Sequence, residues 1–534
     1  MGRHLDTGGW RLTSASLPAR WRAAAGVTPV LAVLMFIVWP VVTLAVRVAD
    51  NAAIGDVLGA TRTRDVALFT LVQASISTAV TVTLGIAPAL VIARYRFRGR
   101  RAVLAALTAL FVMPTVVLAA GIRTLLPRGL DEGLWAIVAA HTVFNLAVVV
   151  RTVGAVTPPV DREAAARTLG AAPLTVLRTV TWPHIRPAVI AAASIVFLFD
   201  ATSYGVVRVL GDISTSTIEV EIWREAVQLG RVDSAVILSL AQMVVLGIVV
   251  VTTNALARRR PTTATATMRT ARPGFVGRII IGATAALIAA PFIALVIGSV
   301  RTADGFTMSA WTSMFDDEIR PGLRLGIDPL GAATTTITTA AIATAIAMLI
   351  GVLAVVAVVG SSRVGALIDT ALMAPLALSA VTIGLGLIIT FDQSPIDWRA
   401  SWFMLPLGQA LVALPFVVRA TIGAARSVGA DRQAAAATLG AGPVRAWATA
   451  VIPALRRPLL AAAGLAAAVS IGEFGATSLL SRTGRETLPI VIERLLARTG
   501  GDFVARGHAL SVVLAIITVL LVAGIDRGGD DALT

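Results

Sequence analysis

Apolar stretches the length of a membrane-spanning helix recur along the whole chain, separated by short polar segments. A helix needs roughly 20 apolar residues to cross the hydrocarbon core of a bilayer, and the pattern predicts twelve such spans. The first six lie near residues 27–47, 67–93, 102–122, 134–153, 188–208 and 234–256. The second six lie near residues 278–299, 332–358, 366–390, 401–424, 459–480 and 508–525. The chain is therefore predicted to be an all-α, polytopic membrane protein.

Composition supports this interpretation and excludes several functions. Hydrophobic residues make up 57% of the 534 residues and charged residues 14%, well below the roughly 25% typical of soluble domains. Every basic residue is arginine, so the chain lacks the lysine of a phosphate-binding P-loop, and ATP hydrolysis must belong to another subunit. Cysteine is absent, which excludes disulfides and thiolate metal sites. We expect no bound cofactor or metal and, despite a net charge of +15, no nucleic-acid partner.

The arginines concentrate in alternate segments between the predicted spans. Most of them lie in 1–26, 94–101, 151–187, 257–278, 359–365 and 419–457. The positive-inside rule assigns such segments to the cytoplasm. The expected topology is a multi-pass protein of the cell membrane with both termini on the cytoplasmic side.

One polar segment occurs twice. DREAAARTLGAAPLTVLRTVTWPHIR begins at Asp161, and DRQAAAATLGAGPVRAWATAVIPALR begins 270 residues later at Asp431, with 13 of 26 positions identical. The triplets SYG at 203–205 and EFG at 473–475 have the same offset. Duplication of a six-span unit explains both repeats. It predicts two parallel halves, residues 1–257 and 278–534, joined by a cytoplasmic linker at 258–277.

Each copy of the repeated segment predicts a helix, a turn and a second helix. Alanine-rich residues favour the first helix, and a glycine followed by a proline interrupts it, in LGAAP at 169–173 and LGAGP at 439–443. The second helical run is expected to end at Pro183 and Pro453. A single such segment could merely connect two spans. Two copies at one place in each half favour a docking element with a rigid, apolar tip.

The repeated segment resembles the EAA loop of ABC-transporter permeases of the binding-protein-dependent import class, EAA-x3-G-x9-I-x-L-P. Ala164 to Gly170 and Ala434 to Gly440 occupy the EAA-x3-G positions, but alanine replaces the glutamate of the pattern. The nearest polar residues stand one place earlier. The resemblance implies that both loops, 161–187 and 431–458, contact an ATPase subunit. The residues to which it assigns this coupling role are Glu163, Ala164, Ala165, Gly170, Pro173, Pro183, Gln433, Ala434, Ala435, Gly440, Pro443 and Pro453.

The same resemblance implies a function and its partners. The chain would be the membrane subunit of an ATP-driven importer with a type I importer fold, and not itself an enzyme. Two copies of a cytoplasmic ATPase would hold ATP and magnesium, and one extracytoplasmic solute-binding protein would deliver the substrate. A single chain with two permease units looks like the ferric-iron and thiamine importers. Sulfate, molybdate, phosphonate and polyamine permeases share the same unit.

Two other classes of protein share single features with this sequence. The basic loop RYRFRGRR at Arg94–Arg101 also occurs in ion-gradient-driven transporters of the major-facilitator type, although the aspartate and leading glycine of that motif are missing here. Such a transporter is the alternative hypothesis. A membrane-embedded enzyme has little support, because the four histidines are scattered and no carboxylates cluster.

Ionisable residues inside membrane spans are expensive and indicate either a solute pathway or internal packing. Asp200 and Glu473 lie near the ends of equivalent spans, and two acids there would suit a cationic substrate. The alternative is that each acid caps a bend or pairs with an arginine. His141 and Asn145 are one helical turn apart and are expected to hydrogen-bond between helices. The residues predicted to line the pathway are Asp200, Ser203, Tyr204, Glu473 and Phe474.

Overall fold

The structure is a computed structural model that describes residues 19–528 with short gaps. The gaps are 50–52, 159, 213, 258–271, 303–304, 317, 321–322, 325, 327, 359–367, 370, 377, 394–395, 399–400 and 499. Most of the predicted linker at 258–277 lies outside the described residues. The division into two permease units therefore stays a prediction from the sequence.

The first half consists of helices joined by short loops. They are α1 Ala19–Val33, α2 Trp39–Ala49, α3 Ile54–Gly59, α4 Thr61–Arg94, α5 Arg100–Phe111, α6 Thr115–Leu125, α7 Leu134–Ala155, α8 Val160–Thr168, α9 Pro173–Val176, α10 Trp182–Ala201, α11 Gly205–Leu210, α12 Ile218–Trp223 and α13 Val232–Ala257. Wider π-helical turns at Leu34–Val38 and Leu177–Thr181 join α1 to α2 and α9 to α10, and a third, Arg224–Gln228, extends α12.

The second half repeats this order. Its helices are α14 Phe275–Val300, α15 Ser309–Thr312, α16 Pro329–Val358, α17 Ala380–Thr390, α18 Met404–Thr438, α19 Pro443–Ala446, α20 Ile452–Gly472, α21 Gly475–Leu480, α22 Leu488–Leu496 and α23 Gly501–Gly528. A 3-10 turn at Ala374–Leu376 precedes α17, and a π-helical turn at Trp447–Val451 joins α19 to α20. Loops carry three short antiparallel hairpins: β1 Arg301–Thr302 with β2 Gly305–Phe306, β3 Glu318–Arg320 with β4 Leu323–Arg324, and β5 Asp392–Gln393 with β6 Ile396–Asp397.

Ten helical stretches in the described part of the chain are long and apolar enough to cross a membrane, and the bent pair α5 and α6 would make an eleventh. The predicted all-α, polytopic fold is therefore confirmed, and the chain is a multi-pass membrane protein. The predicted count of twelve continuous spans is not confirmed, because two of the predicted spans are interrupted.

The interrupted spans are the third and the ninth. In the first half, α5 and α6 meet at 107°, and Pro114 forms the N-cap of α6. Proline has no amide hydrogen and its ring clashes with the preceding turn, which favours a helix break at this position. In the second half, Ile368, Asp369 and Ala371 are helical, and α17 begins separately at Ala380. Each half thus holds an interrupted helix where the sequence predicted a continuous one.

Helix ends near the repeated segment also differ from the prediction. The spans predicted to reach residues 208 and 480 end at Ala201 and Gly472, and α11 and α21 follow as separate short helices. Conversely, the loop helices do not end at Pro183 and Pro453. Continuous helical stretches run from 173 to 201 and from 444 to 472. A π-helical turn precedes each proline and accommodates its missing hydrogen bond.

The first span of the chain packs into the second half. Ala32, Val33 and Ile37 belong to a buried cluster whose other members, among them Ile350 and Leu411, come from the second half. The α1 and α2 segment is therefore part of the core of the other half, and burying it there joins the two halves through apolar contact.

Two equivalent close contacts complete this exchange of first helices. Pro40 of α2 lies against Gly386 in α17, and Pro291 of α14 lies against Gly121 in α6. A β-carbon at Gly386 would lie 3.1 Å from the Pro40 Cβ, and one at Gly121 would lie 2.6 Å from the Pro291 carbonyl oxygen. Small residues are common where membrane helices approach this closely. Each half thus receives the first helix of the other at a glycine.

Candidate coupling loops and translocation cavity

Both copies of the repeated segment form a helix, a glycine turn and a second helix. Gly170 follows α8 with a φ of 83°, and Gly440 follows α18 with a φ of 81°. The next amide donates five residues back, from Ala171 to the Ala166 carbonyl at 3.1 Å and from Ala441 to the Ala436 carbonyl at 3.0 Å. This is the Schellman cap, which needs a residue in the left-handed region, where glycine has no steric penalty. The predicted helix–turn–helix is present in both halves.

An exposed leucine forms the tip of each turn. Leu169 is 88% exposed and Leu439 is 89% exposed, and the equivalent residues Leu174 and Val444 behind them are also exposed. An exposed apolar patch with polar surroundings is typical of a protein contact site. The apolar tip was expected from the sequence, but neither leucine was among the predicted coupling residues. An LG pair before a proline, repeated in both halves, is the signal that could have identified them.

A buried ion pair holds the first loop against the membrane helices. The Glu163 carboxylate in α8 forms a salt bridge with Arg94 at the end of α4, and the Thr181 hydroxyl donates to the same carboxylate oxygen at 2.7 Å. The Glu163 side chain is only 2% exposed and the Arg94 side chain 18%. We call this group the loop clamp. Residue 163 therefore faces the permease itself, while its predicted role was contact with an ATPase.

The second loop lacks this clamp in its sequence. Gln433 replaces Glu163 and Val451 replaces Thr181, so neither the charge nor the hydroxyl donor is available. The side chains of Gln433, Ala434 and Pro443 lie outside the described residues. Ala164, Ala165, Pro173, Pro183, Ala435 and Pro453 are exposed. The two loops therefore share a backbone fold but differ in how they can be attached to the spans.

Glu473 stabilises the break between α20 and α21. Its carboxylate accepts hydrogen bonds from the amides of Ala476 at 2.8 Å and Thr477 at 2.9 Å, and from the Thr477 hydroxyl. These bonds satisfy donors that the start of α21 would otherwise leave unpaired. Of the two roles considered for this acid, the structure shows capping of a bend. A role in the pathway stays a prediction.

A cavity of about 230 Å³ lies between the two halves at the level of these breaks. Ser203 and Tyr204 line it from the first half, and Glu473 and Phe474 line it from the second. Four of the five predicted pathway residues are thus brought to one cavity, which we call the inner cavity. It is bounded by the bend between α5 and α6, the ends of α10 and α20, and the middle of α7 and α18.

Asp200, the fifth predicted residue, lies behind the wall of the inner cavity. Asn145 donates to its carboxylate at 2.8 Å, Gln73 donates to its backbone carbonyl at 2.9 Å, and the His141 Nδ1 lies 3.5 Å from the carboxylate. Asp200 is fully buried. Among the described residues, the ionisable side chain next to Asp200 is His141. Arg208, an arginine nearby in the sequence, instead pairs with Glu493 at 3.0 Å. His141 and Asn145 do bridge helices, as the sequence predicted.

A second cavity of about 590 Å³ shares Tyr204 and Phe474 with the inner one. These two residues stand at equivalent positions of the repeat, and their ring centroids are 5.2 Å apart. The second cavity, called here the outer cavity, is lined by Arg47, Arg482 and Arg494 among others. The pair of rings separates the two cavities.

The outer cavity also shows that both loops lie at the same end of the molecule. It brings together the end of α2 and the start of α13 from the first half with the ends of α17 and α21 from the second. In each half the chain leaves the loop through a long helix, α10 or α20, and then reaches the outer cavity at α13 or α21. Both loops therefore lie at the end of the molecule opposite the outer cavity. No group of three or more His, Asp or Glu side chains suited to a metal ion occurs in the described ranges.

Comparison with known proteins shows the family to which a chain with these loops and cavities belongs. No family model matches the chain. The chain is 34% identical over 201 residues to the molybdenum transport system permease ModB of Mycobacterium tuberculosis, a match that covers 35% of this chain and 75% of ModB. Escherichia coli ModB is 33% identical over 171 residues, 29% of this chain and 75% of ModB. The chain belongs to the ABC importer permeases.

Further relatives differ in solute. The chain is 32% identical over 154 residues to PhnV of Salmonella typhimurium, named as a 2-aminoethylphosphonate transport system permease. This match covers 29% of the permease described here and spans 57% of PhnV, a little over half its length. The expected ferric-iron or thiamine type is not confirmed, because these relatives are phosphonate and molybdenum permeases. Both of those solutes were among the wider set that the resemblance implied.

Proposed function

We propose that this permease forms the solute pathway of an ATP-driven importer and that one chain supplies both halves of the pathway. The observation that carries the proposal is the inner cavity, which equivalent helix breaks from the two halves enclose between them. Two repeated loops with exposed leucine tips lie at one end of the same helices. Movement of the loops would therefore be transmitted to the cavity through α10 and α20.

The partners follow from the same features. Two loops of one backbone fold suit two copies of a cytoplasmic ATPase, which would hold ATP and magnesium because this chain has no P-loop lysine. The arginine-rich segments around the loops support a cytoplasmic position for them and for both termini. An extracytoplasmic solute-binding protein would then deliver solute to the outer cavity.

The relatives supply the candidate solutes. 2-Aminoethylphosphonate and molybdate are the first to test, because relatives of this chain are named for 2-aminoethylphosphonate and molybdenum transport. Both solutes are small enough for a cavity of about 230 Å³.

Reconstitution tests the function directly. The purified chain would be placed in liposomes with a candidate ATPase and binding protein, and uptake of each radiolabelled solute would be measured with and without ATP inside. Uptake that requires ATP, the ATPase and the binding protein is the expected result. Uptake driven by a proton or sodium gradient in liposomes without the ATPase would refute the proposal and favour the facilitator alternative.

A further inference from the structure

The inner cavity is walled by aromatic rings to an unusual extent for a chain with 5% aromatic residues. Six of its lining residues are aromatic: Phe111, Phe144, Phe199, Tyr204, Phe416 and Phe474. The ring of Phe111 lies 5.9 Å from those of Phe144 and Phe199 and 6.3 Å from that of Phe416, across the boundary between the halves. Ring faces carry partial negative charge and attract cations within about 6 Å.

The wall of the inner cavity contains an acidic side chain. Glu473 lines the inner cavity, and Asp200 lies one layer behind it, bonded to the lining residue Asn145. No arginine is among the residues that the structure shows lining this cavity, whereas Arg47, Arg482 and Arg494 line the outer one. Among the described residues, arginine side chains therefore line the outer cavity but not the cavity on the other side of the Tyr204 and Phe474 rings.

The wall is also unequal between the halves. His141 and Asn145 of the first half line the cavity, and among the described residues the His141 Nε2 and the Asn145 Oδ1 have no hydrogen-bond partner. Both atoms are buried within the wall and not exposed to the cavity. Val417 packs on Gly351 as Val149 packs on Gly85, so the equivalent residues of the second half are Gln409 and Ala413. Neither is among the residues that the structure shows lining this cavity. The first half thus contributes polar side chains to this part of the wall, and the described residues of the second half contribute none.

We infer that the inner cavity accepts the ammonium end of a small organic cation or zwitterion. This inference rests on the proposed function and narrows its substrate class. An ammonium group gains contact with the ring faces and with the Glu473 side chain. A bare oxyanion such as molybdate would lose its hydration and meet acid and ring faces without an opposing charge, which is strongly unfavourable. The cavity therefore selects by charge as well as by size.

The absence of cysteine in the sequence makes a direct test available. Ser203→Cys would place a single thiol in the inner cavity, and Thr483→Cys would place one in the outer cavity as the matched control. Purified full-length variants in lipid nanodiscs would be reacted with two methanethiosulfonates of similar size. One carries an ethyltrimethylammonium group and the other an ethylsulfonate. Each rate would be divided by the rate of the same reagent with free 2-mercaptoethanol.

The preference of a site is the normalised rate of the cationic reagent divided by that of the sulfonate. We expect this ratio to be about three- to tenfold larger at Ser203→Cys than at Thr483→Cys. Adding Glu473→Gln, which keeps an oxygen to cap α21, should reduce that excess. Equal preference at the two sites, or faster reaction of the sulfonate at Ser203→Cys, would overturn the inference.

Two controls keep every outcome informative. Neutral N-ethylmaleimide tests access to Ser203→Cys, and Phe474→Ala opens the ring pair if access is blocked. A thiol that none of the three reagents reaches, even with Phe474→Ala, would show that the inner cavity takes no solute and would also overturn the inference. The reaction rates require no ATPase. A chain that selects cations but fails to transport with ATP would therefore lose the proposed function and keep the inference.

Discussion

Breaking the loop clamp should uncouple the first loop from the membrane helices. The change is Glu163→Gln, which removes the charge facing Arg94 but keeps an oxygen for the Thr181 hydroxyl. Glu163 is almost completely buried and Arg94 largely so, and a hydrogen bond to a charged partner is worth about 1.5–3 kcal/mol. The ratio of attached to detached α8 should therefore fall by roughly 10- to 150-fold.

Hydrogen exchange would measure this change without any partner. The amides of α8 should exchange faster in Glu163→Gln by the same factor, because opening of the helix end becomes easier. Asp161→Asn is the matched control, since it makes the same chemical change at an exposed acid two residues earlier. In the assembled transporter, solute-stimulated ATPase activity and uptake should decline together while basal ATPase activity persists.

A double-mutant cycle decides whether the clamp is the cause. Arg94→Gln should have an effect of similar size, and the double variant should be little worse than either single one, because both changes break the same pair. Fully additive losses, or normal exchange and normal uptake in Glu163→Gln, would refute the role given to the clamp.

Further predictions concern the loops and the topology. Gly170→Asp forces a side chain into the left-handed region at a cost of about 1–2 kcal/mol, and should lower uptake and stimulated ATPase activity while membrane insertion, followed by detergent extraction and gel filtration, stays normal. Leu169→Ala with Leu439→Ala should weaken binding of the ATPase, measured by co-purification, by about 1.5–3 kcal/mol per leucine, with no change in the melting temperature of the isolated chain. A reporter fused near Thr265 should report the cytoplasm and one near Asp317 the outside, and an outside signal from the first would contradict the proposed position of the loops.

The spans were predictable because run length and composition are properties of the local sequence. The glycine turns were predictable for a similar reason, since a glycine followed three residues later by a proline specifies where a helix can end. Repetition at a fixed offset then indicated that both turns belong to one kind of structure. These features depend on neighbouring residues alone.

The interruptions within spans were harder to predict. Pro114 breaks a helix, whereas Pro183 and Pro453 lie within continuous helical stretches. Membrane helices tolerate proline when neighbouring groups or a π-helical turn satisfy the freed carbonyl, so the residue type alone does not distinguish the two outcomes. The capping of α21 by Glu473 likewise became visible only once the ends of α20 and α21 were known.

The contacts between distant residues could not be predicted from one sequence. Arg94 and Glu163 lie on different helices, and no periodic pattern relates them. The aromatic pair of Tyr204 and Phe474 was identified as two separate pathway candidates, and only the fold shows that their rings meet. Such pairings depend on how the halves assemble.

The exchanged first helices bear on how the protein is made. Pro40 leaves the ribosome long before Gly386, the residue against which it packs. The first helix must therefore wait in lipid, without its native neighbour, until most of the second half has been inserted. For two separate subunits that wait would last until a diffusional encounter in the membrane. In a single polypeptide the delay lasts only as long as translation of the second half, and the two halves are always made in equal number.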